Sequence, residues 1–312
     1  MEDKIGLHFK NSSTLRLALN HPSYAQQINE PGNDNERLEY LGEAILNLVV
    51  VDYLYRHCPY LEVSKQSALR DKLVEEERLT KLWFGLGLGE DYPFLVLKEE
   101  RHRLRLQRQN PFEEALKALV GAIYLDRGFS QVRNWLSKQL IAPLLERHQK
   151  NLKERSSPDK QLQFLGEALL KSIVADYLYR HLPYVNASRL TTLAKGLMSK
   201  ERQLEYLMQL TQEDWTAIAQ ENEKVAKKSF NVLLAAIYLQ SGPDKSKDNF
   251  KKTGNWFAQG FVDGDGVLRQ AIALLMKDGI PQKWIIRRVM GYESKDYDKG
   301  REHFWELMEK TS

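Results

Sequence analysis

Residues 40–60 read YLGEAILNLVVVDYLYRHCPY, and residues 164–184 read FLGEALLKSIVADYLYRHLPY. At a constant offset of 124, 14 of these 21 positions are identical. The register extends to Ser64 and Ser188, and to Glu77-Arg78 against Glu201-Arg202. It resumes at an offset of 114, where ALVGAIYLDRG (118–128) faces VLLAAIYLQSG (232–242). Asn134-Trp135-Leu136 and Asn255-Trp256-Phe257 close the two copies. Self-similarity on this scale means that one fold has been duplicated within the chain.

Both copies read as helical. Leu38, Leu41, Ile45, Leu46 and Val49 recur at three- and four-residue spacing, as do Leu116, Leu119, Val120 and Ile123. Strand-like alternation is scarce and no hairpin dipeptide separates apolar runs. The polar stretch Gln149 to Pro158 marks a boundary, and Ser241 to Asp248 interrupts the second copy before its last helix. The expected units are residues 1–150, residues 151–264 and a tail of residues 265–312 that matches neither copy.

The composition bounds the rest. The 312 residues carry 46 Lys plus Arg and 42 Asp plus Glu, a formal charge of +4, and 42% hydrophobic residues. That balance excludes disordered, collagen-like and disulfide-built chains. The single cysteine, Cys58, excludes internal disulfides and multi-cysteine zinc sites. Residues 1–148 hold 20 basic and 21 acidic side chains, so the positive surplus lies in the second half. The opening Met1-Glu2-Asp3-Lys4 lacks an apolar signal core, and no window approaches a membrane span. A soluble, cytoplasmic protein is expected.

The segment Asn35-Glu-Arg-Leu-Glu-Tyr-Leu-Gly-Glu-Ala-Ile-Leu46 closely resembles the signature helix of ribonuclease III. Leu15 to Tyr24 resembles that family's first helix and its His-x-Ser-Tyr turn, and Glu114 to Gly128 resembles its second acidic helix. The likeness spans about residues 5–145 and, through the repeat, 158–260. It implies an all-α fold: two tandem ribonuclease III-like helical domains forming an intramolecular pseudo-dimer, plus a small helical C-terminal module. A monomer is then expected in solution. Tyr40 and Phe164 match an aromatic residue that packs across the family's dimer interface.

The resemblance also implies a chemistry, metal-assisted cleavage of double-stranded RNA by four carboxylates on two helices. Mg²⁺ takes hard oxygen ligands in near-octahedral geometry, and two-metal hydrolysis must stabilise both attacking and leaving oxygens. Glu36, Glu39 and Glu43 share one helix face. Carried over by position, the first copy offers Glu39, Glu43 and Glu114, the last two longer than the family's aspartates. Its fourth position holds Lys117, a donor that cannot ligate a cation. The second copy's vestiges are Gln163, Glu167, Lys228 and Asn231. Lys117 and Lys228 are expected to neutralise former metal-site acids as salt bridges. His21, His57 and His181 lack a ligand cluster, and Cys58 aligns with Leu182, which argues for packing.

Three readings follow. The leading one is a degenerate, largely non-catalytic member binding structured or double-stranded RNA or a ribonucleoprotein partner, with no cofactor. The second is a Mg²⁺-dependent double-stranded RNA endoribonuclease using Glu39, Glu43 and Glu114. The third is a protein-binding scaffold without an RNA role. Arg101, Arg103, Arg105 and Arg108, four arginines in eight residues, are candidate phosphate contacts. The tail lacks the pattern of a double-stranded-RNA-binding domain. Leu274 to Gly291 is instead similar to a helix-turn-helix around Gly279-Ile280-Pro281, with Lys283, Arg287 and Arg288 free to touch phosphates.

Overall fold

The structure is a computed structural model, and it describes residues 1–28, 32–89, 110–145, 157–210, 229–240 and 249–309. All regular structure among the described residues is helical. The first copy comprises α1 (Glu2–Ile5), α2 (Ser12–Ala18), α3 (Pro22–Gln27), α4 (Glu36–His57), α5 (Val63–Val74), α6 (Glu76–Gly85), α7 (Pro111–Arg127), α8 (Phe129–Leu136) and α9 (Ala142–Leu145). A π-helical turn, Ser137–Ile141, joins the last two. The second copy comprises α10 (Pro158–His181), α11 (Ala187–Leu197), α12 (Lys200–Met208), α13 (Phe230–Gln240) and α14 (Asn249–Phe261). The tail holds α15 (Gly264–Lys277), α16 (Gln282–Trp284) and α17 (Tyr297–Glu309). Gln149 to Ser156 and Ser241 to Asp248, read above as connectors, lie outside the described residues.

Helices α4 and α10 form the spine. More than half the residues of each are buried, on every side of the helix. A helix apolar all round must be covered all round. Each spine packs its own copy's second long helix on one side and the opposite spine on the other. In the first copy this crossing is set by glycine. A Cβ on Gly42 would lie 1.8 Å from the Lys117 carbonyl oxygen, so α4 and α7 touch backbone to backbone. Gly166 makes the same approach to the Asn231 carbonyl of α13, also at 1.8 Å.

The two copies meet about a pseudo-two-fold axis, visible in paired contacts. Arg56 bonds Asp52 at 2.8 Å and lies over the Tyr238 ring at 5.7 Å. Its counterpart Arg180 bonds Asp176 at 2.7 Å and lies over Tyr124 at 5.8 Å. Arg37 donates to the carbonyls of Tyr179 (2.8 Å), Leu182 (3.0 Å) and Val185. Its counterpart Gln161 donates to the carbonyls of Pro59 (2.9 Å) and Leu61 (3.2 Å). Residue i of one half meeting residue j of the other, and the reverse, is the signature of an isologous interface. Phe164 crosses it too, with the Arg70 guanidinium 5.3 Å from its ring centroid.

Arg37 holds its three carbonyls in a half-buried setting, so Arg37→Ala strands acceptors that water reaches poorly. We expect a loss of about 2–4 kcal/mol, read as a lower urea midpoint. Arg37→Lys, which puts one compact charge in place of a fork, should recover only part of it.

The C-terminal module docks on the second copy through an ion pair between Arg189 of α11 and Asp278. Its Gly279 turn has φ of +75°, the left-handed conformation that commonly ends a helix, and precedes Pro281. The following helix is short, since α16 passes directly into a π-helical turn, Ile285–Val289.

Candidate functional site: a carboxylate cluster held by lysines

The cluster sits where α4 crosses α7. Asn35, the residue before α4, donates from its side chain to the Ala18 carbonyl at 3.4 Å, and Asn20 bonds the Asn33 carbonyl at 2.9 Å. These bonds tie the His21-Pro22-Ser23-Tyr24 turn to the start of the spine. His21 itself caps α3, its Nδ1 accepting from the Ser23 amide at 3.2 Å. Asn110 caps α7 by accepting from the Phe112 amide at 3.1 Å, with Pro111 in the first turn. Both ends of the site are thereby fixed.

Glu39, Glu43, Glu114 and Lys117 converge as the sequence predicts, each within electrostatic reach of others in the set. The Lys117 Nζ lies 3.8 Å from Glu39 and 2.6 Å from Glu113. Lys117 therefore does pair with Glu39, but its tighter partner is Glu113, one helical turn back. Sequence reasoning passed over Glu113, although its i, i+4 spacing to Lys117 was available. The close partner of Glu43 is a second lysine, Lys171 of α10, which donates to its carboxylate at 2.7 Å. Lys171 comes from the opposite copy, 128 residues away, and no local pattern signalled it.

Burial and like charge set the protonation. Burial first, then the neighbouring Glu114 carboxylate, push Glu39 up to about 7 from the ordinary value of 4.5. Burial and Glu113 likewise raise Glu114. Burial would also raise Glu43, but the Lys171 hydrogen bond and charge overcome it and hold Glu43 low. Burial would lower Lys117, yet its hydrogen bond to Glu113 carries it upward, so it stays a cation. Among the described residues no group of three or more His, Cys, Asp or Glu is arranged to hold a metal ion.

In the second copy, Gln163 donates to Glu167 at 2.8 Å and accepts from the Ser229 hydroxyl. Asn231 is buried at 4% exposure. Lys228, and with it the salt bridge expected of it, lies outside the described residues, as do Arg101, Arg103, Arg105 and Arg108. Lys283, Arg287 and Arg288 are exposed on the C-terminal module, away from the carboxylate cluster in sequence and element. Cys58 is buried at 4% exposure, in keeping with packing. No described helix is long and apolar enough to cross a membrane.

Comparison with known proteins follows the internal repeat. A family model described as Ribonuclease-III-like matches residues 11–144, and one described as Ribonuclease III domain matches residues 160–242. Ribonuclease 3 of Syntrophomonas wolfei is 39% identical over 140 residues, covering 45% of this chain and 58% of that protein. Ribonuclease 3 of Pseudomonas paraeruginosa is 40% identical over 144 residues, covering 45% of this chain and 59% of that protein. The match thus spans under two thirds of those relatives' own length. A solved nuclease domain of ribonuclease III from Campylobacter jejuni is 29% identical, covering 48% of this chain and 94% of that one, with a TM-score of 0.37. Two adjoining matches, one for each half of a duplicated helical fold, place the chain in the ribonuclease III family.

Proposed function

We propose that this chain is a degenerate ribonuclease III-like protein that binds structured or double-stranded RNA, alone or within a ribonucleoprotein, without cutting it. The observation that carries the reading is the Lys117 ammonium seated among Glu39, Glu113 and Glu43. Mg²⁺ does not fit this donor set. It would have to displace one lysine from Glu39 and another from Glu43, and it would meet cations where hard oxygen ligands are needed. The second copy supports the same reading, because Gln163 and Asn231 bring neutral amides to two of its four positions. The fold is meanwhile kept whole, with both spines and the interface between them intact. We place this function in the cytoplasm and in a monomer, the pseudo-dimer already supplying both halves.

The endonuclease reading keeps one specific support: Glu39 remains within electrostatic reach of both Glu43 and Glu114. A labelled duplex RNA incubated with Mg²⁺ or Mn²⁺ separates the two. The expected result is a mobility shift that weakens steeply with salt, as phosphate contacts require, and an uncut duplex. Metal-dependent cleavage that disappears in Glu39→Ala overturns the proposal in favour of the endonuclease. Absence of a shift at low salt overturns it in favour of a protein-binding scaffold.

A further inference from the structure

Two exposed aromatic rings stand together where the second copy meets the C-terminal module. Tyr184, in the turn after α10, is 50% exposed, and Trp284, ending α16, is 39% exposed. Their centroids are 6.4 Å apart with the rings at 80°. The Arg288 guanidinium lies 5.9 Å from the Tyr184 centroid. Beyond Arg288, an open cavity of about 580 Å³ is lined by Arg287, Arg288 and the segment Gly291 to Lys295. The one carboxylate in its lining, Glu293, is paired with Lys295 at 3.2 Å. Among the described residues, no carboxylate pairs with Arg287 or Arg288.

The repeat supplies an internal comparison. The counterpart of Tyr184 is Tyr60, which is half-buried, its hydroxyl 3.9 Å from the Cys58 sulfur. The exposure of Tyr184 is therefore not a property of this helix end as such. It belongs to the second copy, next to a tryptophan and the Arg288 guanidinium, with Arg287 exposed on the same short helical segment.

We propose that Tyr184, Trp284, Arg287 and Arg288 form a stacking site for unpaired RNA bases. Exposed aromatic faces beside cations are the chemistry that single strands require: rings take the bases, and guanidinium groups take the phosphates. Stacking accepts any base, so the site reads strandedness, not sequence. In the RNA this protein holds, the ligand is a loop, bulge or overhang. The inference rests on the RNA-binding reading and specifies which part of the RNA this site would hold.

The test uses the full chain, a short fluorescein-labelled oligouridine and a blunt-ended duplex RNA. Tyr184→Ala combined with Trp284→Ala should weaken oligouridine binding by about tenfold or more and leave the blunt duplex unchanged. Tyr184→Phe with Trp284→Phe should retain binding, since the stacking faces survive. Arg287→Ala with Arg288→Ala should flatten the salt dependence by about 0.7 for each phosphate the site no longer neutralises. All four side chains are exposed, and unchanged melting curves would show that the variants fold. Unchanged oligouridine affinity in the double alanine variant overturns this site. So does a protein that shifts the blunt duplex but never binds oligouridine, which leaves the RNA-binding reading standing. Oligouridine binding without duplex binding keeps this site and overturns the duplex reading. Failure of both RNAs overturns both, and a protein partner would then be the occupant to seek.

Discussion

Gly42→Ala is expected to cost about 3 kcal/mol or more of folding stability, enough to lower the urea midpoint sharply or prevent folding. The added methyl would stand 1.8 Å from the Lys117 carbonyl oxygen and 2.8 Å from the Gly121 backbone nitrogen. Neither neighbour is a side chain that can rotate aside. The only relief is to spread α4 from α7, which loosens the packing of Leu38, Leu41, Leu119 and Val120 along the same crossing. Gly166→Ala should behave alike, against the Asn231 carbonyl. The control is Gly260→Ala in α14, where the methyl meets nothing within 4 Å. There alanine should be neutral or stabilising by up to about 1 kcal/mol, because it restricts the unfolded chain. Equal losses at Gly42 and Gly260 would refute the close crossing.

Glu39→Gln should stabilise the protein at pH 8 by about 2–3 kcal/mol and leave it nearly unchanged at pH 4. The native carboxyl titrates at about 7, against an ordinary value of 4.5. The folded state therefore holds the Glu39 proton more tightly than the unfolded chain does. The stability this lends is complete below about 4.5 and is lost as pH rises towards 7. A shift of that size corresponds to about 3 kcal/mol, reduced somewhat because 27% of the side chain is exposed. Glutamine keeps the shape without the charge. Its introduction leaves Lys117 the closer partner, Glu113, at 2.6 Å. Melting temperatures of the two proteins across pH 4–8 should converge at the acid end and diverge at the alkaline end. Parallel curves would show that Glu39 titrates normally.

The sequence carries what lies within one helix or one copy. The apolar spacing of Leu38, Leu41, Ile45 and Val49 marks the spine, and the offset of 124 announces two of them. The convergence of Glu39, Glu43, Glu114 and Lys117 follows once two helices are known to cross, since each pair lies near the crossing glycine. The Gly279-Ile280-Pro281 segment reads as a turn in the sequence, and the structure has a turn there. The sequence does not reveal the π-helical turn after it, because the buried Ile285, Ile286 and Val289 keep the three- and four-residue spacing of an ordinary helix. What is missed belongs to docking. Lys171 reaches Glu43, and Arg56 and Arg180 reach Tyr238 and Tyr124, through the way one half is set against the other. No spacing along the chain encodes that setting. Tyr184 and Trp284 are hidden for the same reason, being far apart in the chain yet adjacent in space.

The Lys171–Glu43 pair exists on one side of the pseudo-axis only. In a homodimer every substitution is written twice, so a lysine reaching across the axis would arrive in both sites or in neither. Here the place of Lys171 is taken in the first copy by Asn47, and Glu167 accordingly bonds Gln163 instead of a lysine from across the axis. Joining the two halves in one chain removed that obligation. Each half became free to act on the other without being acted on in return, and an arrangement that began as two equal partners could settle into unequal parts.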